Sequence, residues 1–287
     1  MVVETKKKTI SYSAVQTYLT CPLKYKFTYI DALEPDFTTD ALVLGHTIHE
    51  ALEVCMKKFQ TTDSLMGCVE LQNIYCGFLN DELSKKKVRY NEGWSADKIR
   101  RMGMNMLSFW HMAFQNDLTA IKEVIAVEHR FCIEANDPVS GMPFSHKITG
   151  VIDLILKLHK RPGFSNNQQK YPWVNAYLLL DHKTAVQKFP EIKIDRDFQL
   201  TIYQWAALKL GLIPDRDLTM VGFSVLHKKI TPEFSLYLSR RTEQQEIQLL
   251  RLISHVLDAI EFQIFYPNFS QITCKNCPFL DDLCSNW

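Results

Sequence analysis

The sequence predicts an α/β fold with a mixed central β-sheet flanked by helices, and three observations carry that expectation. Apolar, β-branched runs of strand length concentrate between residues 122 and 240; amphipathic stretches precede, interrupt and follow them; and the resulting order of helices, strands, helix, strands and helix is that of a sheet covered by helices. At 287 residues, 46% of them hydrophobic, the chain can bury a substantial core and reads as one domain over 1–287. No run approaches the roughly 18 apolar residues of a membrane span. The opening MVVETKKKT lacks the apolar stretch of a signal peptide, so the expected location is the cytoplasm.

Residues 11–30 (SYSAVQTYLTCPLKYKFTYI) open on a Ser-x-Ser turn able to cap a helix, and read as a short helix with Cys21 near its end. Gly45 precedes HTIHEALEVCMKKF, where Ile48, Leu52, Cys55, Met56 and Phe59 recur at helical spacing and His49 and Glu53 share one face. From about 63 to 120 the pattern stays helical, broken near 84–95 by the solvated connection SKKKVRYNEGWS, and reads as a helical insertion. KEVIAVEHRFCIE at 122–134 is a strand, and HKITGVIDLILKLH a second. A loop containing Pro162, Gly163, Asn166 and Asn167 joins it to AYLLLDHKTA as an extended hairpin. FQLTIYQWAALKLG is a helix with a glycine stop at Gly211; strands at MVGFSVLHKK and FSLYLSR follow; a helix spans about Arg241 to Phe265 before the tail.

Charges embedded in apolar strands need a reason. Asp153 sits within VIDLIL, and Asp181 follows three leucines with Lys183 two positions on. Residues i and i+2 of a strand face one side, so Asp181 and Lys183 point together and the hairpin can bring Asp153 beside them. The same residues could merely form an ion pair at a strand end. Converged, two hard oxygen donors favour Mg2+ or Mn2+ over zinc, and the ammonium can stabilise developing phosphate charge.

Cys21, followed by Pro22, and the C-x2-C-x6-C series Cys274, Cys277 and Cys284 within 268–287 can supply the four thiolates of an iron–sulfur cluster or a structural zinc. Such a site would tie 11–30 to the tail. In a chain without an export signal, eight cysteines point to reduced thiols rather than disulfides. Cys55, Cys68, Cys76 and Cys132 lack ligand spacing and read as buried small hydrophobes. The net charge of +1 gives no global basic field, so any nucleic-acid contact must be local.

Taken jointly, Gly45-x3-His49, Glu128, Gly150-x2-Asp153, Asp181-x-Lys183, Gln199-x3-Tyr203 and the cysteine tail resemble the RecB-like branch of the PD-(D/E)XK nucleases, particularly its iron–sulfur members. These include the nuclease domain of AddB-type helicase–nucleases and the RecB-like exonucleases of CRISPR adaptation. The resemblance runs from Ser11 to Cys284 and implies a restriction-endonuclease-like core. It implies Asp153, Asp181 and Lys183 as catalytic residues, and a Mg2+ or Mn2+ site of His49, Asp153, Asp181 and the His182 backbone carbonyl. His46, one turn before His49, could share its role. Gln199, Tyr203 and Glu128 are implied as nucleic-acid-binding or accessory residues, and Cys21, Cys274, Cys277 and Cys284 as ligands of a 4Fe–4S cluster in preference to zinc. The implied activity is a metal-dependent DNA exonuclease of repair, recombination, phage replication or CRISPR adaptation, with a helicase or adaptation protein as partner. The alternative is a non-cleaving iron–sulfur DNA-binding subunit. Two departures stand out: six residues separate the last two cysteines where many relatives have five, and isoleucine rather than proline precedes Asp153. With no G-x4-G-K-[S/T] loop, the chain is not a helicase by itself.

Overall fold

The computed structural model describes residues 8–162, 173–229, 231–275 and 277–285, so Gly163, Asn166 and Asn167 of the expected loop lie outside the described residues. In chain order the elements are β1 (Lys8–Ser11), α1 (Tyr12–Thr20), α2 (Pro22–Tyr25) with a π-helical turn at Lys26–Ile30, β2 (Thr38–Thr39), α3 (Asp40–Thr62), α4 (Cys68–Lys85), β3 (Val88–Arg89), α5 (Ala96–Asn116) and β4 (Ile121–Ile133). They continue with β5 (His146–Leu158), β6 (Tyr177–Ala185), α6 (Glu191–Asp195), α7 (Phe198–Lys209), β7 (Thr219–His227), β8 (Glu233–Ser239), α8 (Glu243–Glu261), α9 (Gln271–Cys274) and a π-helical turn at Leu280–Cys284. No helix among the described residues is long and apolar enough to cross a membrane.

The chain divides into two compact units, one of residues 37–129 and 152–242, the other of 1–36, 130–151 and 243–287. In the first, the second half of β5 runs antiparallel to β6 (Leu154 opposite Leu180), β6 parallel to β7 (Asp181 opposite Phe223), and β7 antiparallel to β8 (Val221 opposite Ser239). The sheet is therefore mixed. Every residue of β7 is buried, which accounts for its near-continuous apolar sequence. Leu44, Leu52 and Met56 of α3, Leu71 and Tyr75 of α4, and Trp110 of α5 share one apolar core with Leu154, Leu156, Leu178 and Leu180 of the sheet. Thr39, Ser95 and Asp197 cap α3, α5 and α7 by accepting from the amides of Leu42, Lys98, and Gln199 and Leu200 respectively.

The expected insertion is α4 and α5, packed closely. A Cβ on Gly103 would lie 2.1 Å from the Tyr75 ring, so glycine is what allows that ring to lie across α5 and donate its hydroxyl to Ile99 O at 2.9 Å. The connection after α4 is solvated, as its sequence implies, with only Val88 and Trp94 half-buried across residues 84–95, but it is tethered at two points. Val88 pairs with Thr38, and the buried Asp40 carboxylate accepts from the backbone and side-chain amides of Asn91 at 2.9 and 2.7 Å. Gly45 does not precede a helix but lies inside α3, where a Cβ would come to 3.4 Å from Thr184 Oγ1 of β6.

In the second unit, β1 runs parallel to the first half of β5, with Lys8 opposite His146 and Ser11 opposite Thr149. Gly150 makes room for Phe131, whose ring would sit 2.5 Å from an added Cβ. The last long helix is shorter than expected at both ends: α8 begins at Glu243, and Gln263 just beyond it takes a left-handed φ of 56°. Cys132 is exposed rather than buried, because strand alternation turns it away from the face that buries Phe131.

Candidate active site

Strand alternation on β6 places Asp181 and Lys183 on one face, with Lys183 Nζ 2.7 Å from Asp181 Oδ2. Asp153, on the antiparallel neighbour β5, accepts at Oδ2 from the His182 backbone N–H (2.8 Å) and lies 2.6 Å from His49 Nε2. His49 comes from α3, and its Nδ1 is 3.4 Å from Glu128 Oε1 of β4. From α7, Tyr203 directs its hydroxyl to Asp181 Oδ1 (3.0 Å) and Asp153 Oδ1 (3.3 Å). Gln199, one turn earlier, donates from Nε2 to Asp181 Oδ1 (2.6 Å) and to Tyr203 Oη (3.1 Å), and its Oε1 accepts from Lys183 Nζ (3.1 Å). The helix pair is thus woven into the acidic centre. All these residues belong to a single compact unit.

The electrostatics follow from packing three carboxylates beside two basic groups. Burial pushes Asp181 up to about 6, with Asp153 adding to the rise against the opposing pull of Lys183. Burial also lifts Glu128 to about 7, a rise that Asp153 reinforces and His49 opposes. Burial opposes charge on Asp153, but its hydrogen bond to His49 prevails and holds it below the ordinary carboxylate value. Burial alone would lower His49; the Asp153 bond and the charges of Asp153, Glu128 and Asp181 outweigh it and raise the imidazole to about 9. The same competition leaves Lys183 above its ordinary value, with Asp181 the prevailing cause, so it stays an ammonium. His182 is driven by burial down to about 4 and sits neutral, Nδ1 3.0 Å from Ser224 Oγ.

His49, Glu128 and Asp153 each present one ligand atom, all within 4.8 Å of one another. An imidazole and two hard carboxylate oxygens suit a divalent cation such as Mg2+ or Mn2+. Burial is the main cause of the raised Glu128 and Asp181, with the charge of Asp153 adding to both, and a bound cation would neutralise that negative charge. The grouping differs in one respect from the sequence expectation: Glu128, read as accessory, joins His49 and Asp153, whereas Asp181 is engaged by Lys183, Gln199 and Tyr203. The His182 residue meets Asp153 through its amide N–H. His46 is no part of this network; it pairs with Glu50 and Glu82 at 3.6 Å on an exposed edge. Glu128 reaches the centre through a left-handed φ of 50°, a conformation costing a non-glycine residue about 1–3 kcal/mol. Nothing in the alternation of β4 announces it.

The four cysteines expected as ligands all lie in the other unit. Cys21, Cys277 and Cys284 pack against a small core of Leu23, Phe27 and Phe279. Burial raises the Cys284 thiol, and the neighbouring sulfurs of Cys21, Cys277 and Cys274 raise it further. Backbone amides point at two of them, Asn268 N–H to Cys21 Sγ and Ser270 N–H to Cys274 Sγ, both at 3.5 Å. Such donors favour thiolates, the form that binds metal.

A family model described as the PD-(D/E)XK nuclease superfamily matches residues 9–284. Among solved structures, the chain is similar to a crystal structure titled "Putative exonuclease" from Eubacterium rectale, at 9% identity and TM-score 0.54 over 98% of this chain and 89% of that one. At that identity the likeness is one of fold, and it covers the α/β core with its mixed sheet and flanking helices. A crystal structure titled SSO0001 is 15% identical over 90% of this chain and 92% of its own, with a TM-score of 0.34. No curated protein matches the chain.

Proposed function

The chain belongs to the PD-(D/E)XK nuclease superfamily, and from that premise we propose that it is a divalent-metal-dependent deoxyribonuclease that hydrolyses phosphodiester bonds from DNA ends. The observation that carries the reading is the convergence of the buried Asp153 and Asp181 with the half-buried Lys183, His49 and Glu128 in one network. A non-cleaving descendant would have no physical reason to keep so costly a collection of buried charges.

In this reading His49, Glu128 and Asp153 hold Mg2+ or Mn2+, with Asp181 beside them. The ion supplies Lewis-acid stabilisation of the phosphate and lowers the pKa of water. Lys183, held protonated, neutralises charge as the phosphorus becomes pentavalent, and Gln199 fixes the ammonium relative to Asp181. Tyr203 sits between the Asp153 and Asp181 carboxylates, with one hydroxyl proton to give to Asp181 Oδ1 at 3.0 Å or Asp153 Oδ1 at 3.3 Å. We assign the four cysteines to a 4Fe–4S cluster with a structural role, supported by their gathering from both ends of the sequence and by the amides directed at Cys21 and Cys274.

The test is cleavage of end-labelled single- and double-stranded DNA by anaerobically purified protein with Mg2+ or Mn2+, set against Asp181→Ala and Lys183→Ala. Cleavage is expected to fall by at least about 100-fold in each variant, with unchanged circular dichroism. An active, folded Lys183→Ala protein would overturn the assignment. A stepwise ladder of products from one labelled end establishes the exonuclease and its polarity.

A further inference from the structure

The unit that carries the cysteines also contains an open trough of about 1390 Å3, separate in its lining from the acidic network. It is larger than the roughly 300–1,000 Å3 typical of small-molecule sites. Three aromatic rings form a tier along it. Tyr25 is near-parallel to Phe265, with their planes 12° apart and their centroids at 6.4 Å, and Tyr29 packs on Tyr25 with centroids 5.1 Å apart and planes tilted by 34°. The inner ring, Tyr25, is 7% exposed, whereas the terminal ring, Tyr29, is 44% exposed and leaves the tier open to a further flat group. Lys26 and Tyr29, three residues apart in the π-helical turn at Lys26–Ile30, both line the trough.

The charge of the lining narrows the occupant. Lys8 and Lys26 both line it, against one carboxylate, Glu261. Lys26 is bonded to Asp31 at 2.6 Å, but an ammonium has three donors and Asp31 takes one. A trough so modestly cationic would hold a duplex poorly, since duplex affinity rests on many phosphate contacts. An exposed aromatic face flanked by two ammonium groups is instead the chemistry of single-stranded nucleic acid: a base on the ring, phosphates on the lysines.

We propose that this trough seats a single-stranded nucleic acid, with a base stacked on Tyr29 and backbone phosphates on Lys8 and Lys26. The proposal deepens the nuclease reading, on which its choice of ligand rests, by assigning a binding site made of residues other than the acidic ones. The experiment is fluorescence anisotropy of a labelled oligothymidylate in EDTA, which prevents cleavage, using the full chain as Lys183→Ala and the same chain with Tyr29→Ala, Tyr29→Phe or Lys8→Ala added.

Tyr29→Ala is expected to weaken binding by about 5- to 150-fold, the range for loss of one base–aromatic stack. Tyr29→Phe retains the face and should bind like the parent, which separates loss of stacking from loss of fold. Lys8→Ala should reduce the slope of log affinity against log salt by about 0.7, the value for one phosphate on a single strand. Tyr29→Ala binding as tightly as the parent overturns the proposal, as does a parent that prefers duplex. If wild type cleaves DNA but oligothymidylate binding ignores these variants, the trough assignment fails and the nuclease reading stands. If binding depends on Tyr29 but no metal supports cleavage, the nuclease reading fails and the trough stands.

Discussion

Glu128 shows how a single backbone angle can complete a site. Its left-handed φ of 50° turns a carboxylate on β4 toward His49 and Asp153, and the strain is compounded by burial that lifts its own pKa to about 7. Replacing Glu128 with glycine removes both penalties. Glu128→Gly is therefore expected to hold or raise the melting temperature of the metal-free protein at pH 8 while weakening Mn2+ binding at least about tenfold, consistent with loss of one carboxylate ligand; differential scanning fluorimetry and Mn2+ titration followed by electron paramagnetic resonance measure the two. His49 yields a prediction in pH. Its folded pKa of about 9 exceeds the unfolded 6.5, so its stabilising contribution is complete below pH 6.5 and disappears as pH rises through 9. Metal-free protein should lose stability across that window. Saturating Mn2+ should flatten the profile, because a bound cation takes the place of the proton. Residues 153, 181 and 183 were legible in the sequence because charges stood out in apolar strands. The partnership of Glu128 with His49 was not, since strand alternation carries no sign of an inverted φ.

At the scale of elements, α7 matters most, because Gln199 and Tyr203 enter the acidic network from it. Its first turn is held by Arg241, just after β8. The buried guanidinium donates to the carbonyls of Ile194 and Asp197, and to Ser239 Oγ at 2.7 Å. Arg241 Nη1 also reaches Arg240 O at 3.1 Å, while Gln204 of α7 donates back to Arg241 O at 3.3 Å. Arg241→Met should destabilise the protein by about 1–3 kcal/mol, because it removes charge-assisted hydrogen bonds to carbonyls whose other donors include the Asp197 amide for Ile194 and the Thr201 hydroxyl for Asp197. It should also lower kcat more than it raises KM, because it loosens Gln199 and Tyr203, which touch the carboxylates of the acidic network. Arg241→Lys, which lacks the fork, should not restore kcat. This anchor was hidden in the sequence, where Arg241 reads as the polar start of a helix that in fact begins at Glu243. The long elements were legible because their patterns repeat: α3 and its buried Ile48, Leu52, Cys55, Met56 and Phe59, and β7 with its unbroken apolar run. β2 and β3 are two-residue strands paired across a long separation, too short for any periodicity to register.

For the whole molecule, the cysteine site and the acidic site belong to different compact units, a division that local sequence patterns do not disclose because each unit is assembled from distant segments. On the proposed assignment of a 4Fe–4S cluster to Cys21 and the tail cysteines, anaerobic removal of iron should lower the melting temperature of the full chain by several degrees. A domain of 150–250 residues loses about 2–4 °C per kcal/mol, and calorimetry with iron analysis measures the change. An unchanged transition after iron loss would count against a structural role for the cluster.

The interleaving of the two units also sets a timetable for synthesis. The last residue assigned to the unit that bears the acidic network is Thr242, so that unit is complete in sequence before Cys274 has been added. Cys21, by contrast, is made about 250 residues ahead of its first partner thiol, a delay of about 13–50 s at translation rates of roughly 5–20 residues per second. The nascent protein therefore passes through a stage in which every residue of the acidic network has been made while Cys21 still lacks Cys274, Cys277 and Cys284, so the proposed 4Fe–4S site can be assembled only after the unit that bears that network is complete in sequence.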